Sequence, residues 1–166
     1  MSKDDLTLVS ILVHVPFVTA WIGLVMFDAF AALSPGLTPE QRGHFIARTR
    51  WVAVAAIAVI LVTGIWQTME NPFVKVDSWA TLEKLRTKTY GEALFFKHMF
   101  VVMTFVLTLI NRFILAPRMV EAVAVRPNGG AAAVTMQRTL TWSSLLNVVA
   151  CFGALILAAR MEIELH

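Results

Sequence analysis

The sequence predicts an all-α, integral membrane four-helix bundle, and three observations carry that prediction. Hydrophobic residues fill 58% of the 166 positions and charged residues only 15%, and the mean hydropathy is +0.71, more apolar than a water-soluble domain of this size. The apolar residues gather into four runs, at about 6–32, 51–69, 93–115 and 140–159, each close to or above the roughly 20 residues that a bilayer crossing takes. Most of the charged residues fall between those runs. A single membrane domain over 1–166, embedded in the lipid bilayer, accounts for the chain. The net charge of +3 comes from basic loops and not from a basic patch, so no nucleic-acid partner is expected. With one cysteine, Cys151, no internal disulfide is available.

The first run carries few polar side chains, and three residues in it form a row. His14, Trp21 and Asp28 lie seven apart and share one helix face. An ionisable group inside a membrane is costly and faces a partner, a cavity or a cofactor. Pro16 lies beside His14, where a kink is expected. The run is longer than the roughly 7–15 residues of a signal-peptide core, and it is read as an uncleaved span. Ser34, Pro35 and Gly36 end it.

Thr38, Pro39 and Glu40 form a helix-start signal, followed by Arg42, His44, Arg48 and Arg50. His44, among loop arginines, reads as a solvated or headgroup-facing side chain. The second run has Gly64 and Trp66 near its end. The following loop is the longest, and Trp79, Leu82 and Leu85 in it suggest a short helix on the membrane surface. The third run repeats the seven-residue row with His98, Phe105 and Arg112, and Pro117 is expected to stop it. The next loop holds Arg118, Arg126, the turn sequence 127–130 and Arg138. In the fourth run Ser144, Asn147 and Cys151 share a face suited to hydrogen bonding between helices. The first and third loops are rich in arginine and poor in acids, which places them in the cytoplasm. Both termini then lie outside, in the periplasm if the membrane is the inner (cytoplasmic) membrane of a bacterium.

Two intervening crossings make the first and third helices parallel, so their rows match end for end. His14 would be level with His98, about 12 Å and 8 Å from the start of their spans at 1.5 Å per residue. Asp28 would be level with Arg112, as a structural ion pair. Two neutral imidazoles from facing helices suit the axial positions of a haem b iron, and imidazole also suits copper and zinc. Phe17, Trp21, Trp66 and Phe95 would line the haem slot, and Lys97 and Arg160 lie at the right end for its propionates. The plainer reading of either histidine is a hydrogen bond to a Ser, a Thr or a carbonyl of another helix. A copper reading competes: Met69, Met99, Met161, His98 and His166 belong to the same outer end, and thioether and imidazole ligands suit Cu(I), although their spacing is scattered. No nucleophile or acid–base pair demands an enzyme.

The residues also carry a family resemblance. Leu12, Val13 and His14 followed by Trp21, Ile22, Gly23 and Leu24 resemble the first helix of the copper-resistance D (CopD) family and of HemJ-type protoporphyrinogen oxidases. Thr63, Gly64, Ile65 and Trp66 resemble the end of their second helix. Thr89, Tyr90 and Gly91, leading to Lys97 and then Asn111 and Arg112, are similar to the CopD third helix. The resemblance covers most of the first three spans and implies a four-helix membrane bundle. In the HemJ branch it implies a b-type haem, with the first-helix histidine carried onto His14 and a third-helix lysine onto Lys97. The third-helix histidine of that branch is replaced here by Phe95.

These observations lead to a first expectation, a haem b protein for electron transfer, as a redox subunit of a larger membrane complex or a homo-oligomer. The alternatives are a copper-handling protein of uptake or resistance and a cofactor-free accessory subunit whose histidines only pack. Protoporphyrinogen oxidation comes last, because of Phe95 and the sequence Asp28, Ala29, Phe30 where that branch is rich in Arg, Tyr and His.

Overall fold

The computed structural model describes residues 3–69, 89–125 and 130–164. Among the described residues six α-helices follow one another: α1 (Lys3–Leu33), α2 (Pro39–Arg48), α3 (Arg50–Met69), α4 (Thr89–Ile110), α5 (Ala116–Val125) and α6 (Gly130–Glu164), with a π-helical turn, Asn111–Leu115, joining α4 to α5. Four segments are long and apolar enough to cross a membrane: Asp5–Leu33, Arg50–Met69, Gly91–Val125 and Gly130–Met161. No strand occurs among the described residues.

Helix α1 runs unbroken through Pro16. Helix α2 begins where Thr38 closes a capping box. The Gln41 amide donates to Thr38 Oγ1 at 3.2 Å, and the Thr38 amide donates to Gln41 Oε1 at 2.9 Å, so two otherwise orphaned N–H groups are satisfied.

The expected stop at Pro117 does not occur, and the third crossing continues to Val125. The reason lies in the preceding turn. The Ala116 amide bonds to the Asn111 carbonyl, five residues back, so the regular α-ladder is already interrupted where Pro117 lacks its N–H. The last helix also starts ten residues before the apolar run expected at 140, because three alanines, Ala131 to Ala133, favour helix where hydropathy alone marks a loop. The surface helix expected around Trp79 lies outside the described residues.

Helix α4 packs most closely on α6 and α1 on α3, with α1 also against α6. The main core lies among these four and includes Trp21, Val25, Ala56, Ile60, Phe105 and Cys151. A smaller core at the arginine-rich end joins α2, α5 and α6 through Ile46, Ala116, Met119 and Leu140. Many large apolar side chains point outward, Phe30 and Val62 among them. In a bilayer the acyl chains cover them, so exposure costs nothing there.

Gly43 sets how closely α2 approaches α5. A Cβ at this position would lie 2.6 Å from Val120 Cγ2 and 2.9 Å from the Ala116 carbonyl oxygen, and the backbone atom cannot step aside. Gly43→Ala is expected to cost about 1–3 kcal/mol by overpacking, seen as a lower thermal midpoint in detergent. Gly23→Ala is the control, since a Cβ at Gly23 meets nothing within 4 Å.

Candidate functional site

At one end of the bundle His14 is tied to α3. Its Nδ1 lies 2.7 Å from Thr63 Oγ1. The Thr63 hydroxyl has one proton, and that proton goes to the Val59 carbonyl at 2.6 Å. Toward His14 the hydroxyl can therefore only accept, so Nδ1 carries the proton and donates. In the neutral ring the lone pair is then on Nε2, which makes no hydrogen bond among the described residues. This tautomer is the one a metal-ligating histidine adopts when its other nitrogen is held by a hydrogen bond. Two further side chains brace the Thr63 turn: Ser10 Oγ donates to the Thr63 carbonyl at 3.3 Å, and Gln67 Nε2 donates to Ser10 Oγ at 3.2 Å. Gly64 lies beside the ring, and a Cβ there would be 3.5 Å from His14 Cε1. Lys97 is half-buried on α4, one residue before His98.

His98 has a different setting. It is exposed, and its Nδ1 donates to the Leu94 carbonyl of its own helix at 2.7 Å, which again leaves Nε2 bare. No hydrogen bond joins it to His14 or to another helix among the described residues. Trp21 lies inside the core, edge-on to Phe105 with ring centroids 5.1 Å apart, where a slot lining was expected. Trp66, Phe95, Met69, Met99 and Arg160 are exposed, while Met161 is buried, so the thioethers do not share one environment. His166 lies outside the described residues. Among the described residues no group of three His, Cys, Asp or Glu side chains is placed to hold a metal ion.

At the opposite end Asp28 and Arg112 meet. Arg112 Nη2 donates to Asp28 Oδ1 at 2.8 Å, and neither side chain has any exposed surface. Arg112 also donates to the Ile46 carbonyl at 3.1 Å, to the Leu24 carbonyl at 3.4 Å and to Thr49 Oγ1. One guanidinium thus ties the third crossing to α1 and to the junction of α2 and α3. The π turn carries Arg112 and Asn111 into the interior. Asn111 continues the network to α6: Ser143 Oγ donates to Asn111 Oδ1 at 2.6 Å, and Asn111 Nδ2 donates to Ser144 Oγ at 3.4 Å. One turn deeper, Asn147 Nδ2 donates to Thr108 Oγ1 at 2.9 Å.

Sequence reasoning did not assign roles to Thr63, Ser10 and Gln67 around His14, or to Thr49, Thr108 and Asn111 around Arg112. The signal for the last two was present: Thr104, Thr108 and Asn111 recur at helical spacing in an otherwise apolar span. Thr49 and Thr63 had no such signal: each hydroxyl also donates to a nearby backbone carbonyl, Thr49 to Ile46 and Thr63 to Val59, as an ordinary threonine does.

A family model described as Copper resistance protein D matches residues 43–161. No curated protein and no solved structure matches the chain.

Proposed function

The chain belongs to the Copper resistance protein D family, and from that premise we propose that it is a copper-handling membrane protein whose histidine-bearing end takes the ion as cargo. The observation that carries this reading is His14 Nε2, which has no hydrogen bond among the described residues while Nδ1 is held by Thr63. Imidazole nitrogen and thioether sulfur are suitable donors for Cu(I), and His98 and Met99 offer one of each on α4. The proposed setting is the inner membrane of a bacterium, with the arginine-rich end in the cytoplasm and the His14 end facing the periplasm, since cytoplasmic loops carry an excess of Lys and Arg.

A haem b redox role is the second reading, and Lys97 is the observation that favours it. A half-buried ammonium group one residue before His98 on α4 opposes a bare cation at that end of the bundle and suits a haem propionate. His14 and His98 both donate from Nδ1, leaving the nitrogen that an axial ligand uses. Bound there, a haem would supply one-electron chemistry, and this chain's residues would hold and orient it.

One experiment separates the two. The purified protein is loaded with Cu(I) without oxygen, washed with a competing chelator, and measured for metal content and for a reduced-minus-oxidised spectrum. The copper reading expects about one copper per chain and no haem α band. In that case Lys97→Met tightens copper about 5–30-fold, the effect of roughly 1–2 kcal/mol of like-charge repulsion removed. The haem reading expects an α band that Lys97→Met weakens. Protein with neither copper nor haem would overturn both readings.

A further inference from the structure

A groove at the arginine-rich end is lined by one face of α6. Thr135, Arg138, Thr139, Trp142, Ser143 and Leu146 of α6 line a groove of about 560 Å³ together with Leu107 of α4. Its chemistry is graded along the helix axis. The two threonines and the guanidinium come first, the indole of Trp142 follows beside Ser143, whose hydroxyl proton is already given to Asn111, and the leucines lie deepest in the span.

Arg138 is exposed and makes no hydrogen bond or ion pair among the described residues. The threonine protons are already spent, Thr135 Oγ1 on the Ala131 carbonyl at 2.9 Å and Thr139 Oγ1 on the Thr135 carbonyl at 3.0 Å. The guanidinium is therefore the donor left for an incoming anion. Trp142 is 72% exposed, which suits an indole at headgroup level. Arg42, Arg48, Arg50 and Arg118 belong to the same end of the fold and outnumber its acids, Glu40 and Glu121, so that end carries net positive charge.

We propose that this groove is a binding site for an anionic phospholipid, with the headgroup phosphate on Arg138, the glycerol region at Trp142 and an acyl chain between Leu107 and Leu146. The order of polar, aromatic and aliphatic groups along α6 is the order of those parts in a phospholipid. A basic site between membrane helices on the cytoplasmic side recognises anionic headgroups, whereas the cationic headgroup of a zwitterionic lipid meets repulsion from the surrounding arginines.

The test uses the full chain, delipidated in detergent and offered dioleoyl phosphatidylglycerol or dioleoyl phosphatidylcholine at equal concentration, with bound lipid counted by native mass spectrometry. The expected result is at least a fivefold excess of phosphatidylglycerol on the wild type. That excess falls to the phosphatidylcholine level in Arg138→Gln, survives in Arg118→Gln, and persists in excess inorganic phosphate. Arg138 is exposed, so its variant keeps its fold, checked by circular dichroism. An unchanged excess in Arg138→Gln, no excess on the wild type, an equal loss in Arg118→Gln, or displacement by free phosphate would each overturn the assignment.

Discussion

Asp28→Asn is expected to lower the unfolding free energy in detergent by about 3–5 kcal/mol, the cost of leaving one member of a buried ion pair without its partner. Asp28 and Arg112 are both fully buried at 2.8 Å, so neither charge can turn to water when the other is removed. The total stability of a domain is about 5–15 kcal/mol, and the loss takes a large share of it. The damage is not confined to α1. Arg112 also holds the Ile46 carbonyl and Thr49 Oγ1, so an unpaired guanidinium disturbs the junction of α2 and α3 as well. The double variant Asp28→Leu with Arg112→Met is expected to be more stable than Asp28→Asn, because it removes the desolvation cost of both charges. Chemical denaturation of the three proteins in one detergent checks the order. A midpoint for Asp28→Asn equal to that of the wild type would mean that the pair does not clamp the bundle.

His14→Ala is expected to abolish retention of copper while leaving the fold intact, since the side chain is only half-buried. The sharper prediction concerns Thr63. Thr63→Val removes the acceptor that keeps the proton on His14 Nδ1 but preserves the shape of the side chain. Loss of a hydrogen bond that orients a ligating histidine costs about 10–100-fold in metal affinity, and that range is expected here. Thr63→Ser keeps the hydroxyl and is expected to restore most of the affinity. Competition with a chelator of known strength measures all three. If Thr63→Val binds as tightly as the wild type, His14 is not the ligand, and its bond to Thr63 serves packing alone.

The parts of the site differ in how far the sequence reveals them. The seven-residue rows are plain in it, and in the fold Trp21 meets Phe105 and Asp28 meets Arg112. The same arithmetic carried one step further sets His14 level with His98. There the side chains part: His14 bonds to Thr63 on α3, and His98 turns back to its own helix. Level along the axis is a property of spacing. Facing is a property of how each helix is rotated about its axis, and the row says nothing of the rotation. Pro117 is a second case. Its effect on an α-helix is local and readable, but the π turn before it interrupts the ladder in advance, and the chain passes through.

By itself the sequence determined the four crossings and the classes of residue that lie within them, because the cost of placing a charge or a bare backbone in lipid is local and adds along the chain. The tertiary structure alone decided that Thr63 is the partner of His14, that Arg112 reaches beyond Asp28 to the junction of α2 and α3, and that Arg138 has no counter-ion among the described residues where it lines a groove. The reason is physical. Lipid tails and a helix-packed core are equally apolar, so a membrane helix shows little of the polar-and-apolar alternation that reveals the buried face of a soluble helix. Which face turns inward is settled only when the helices pack and their few polar groups find one another.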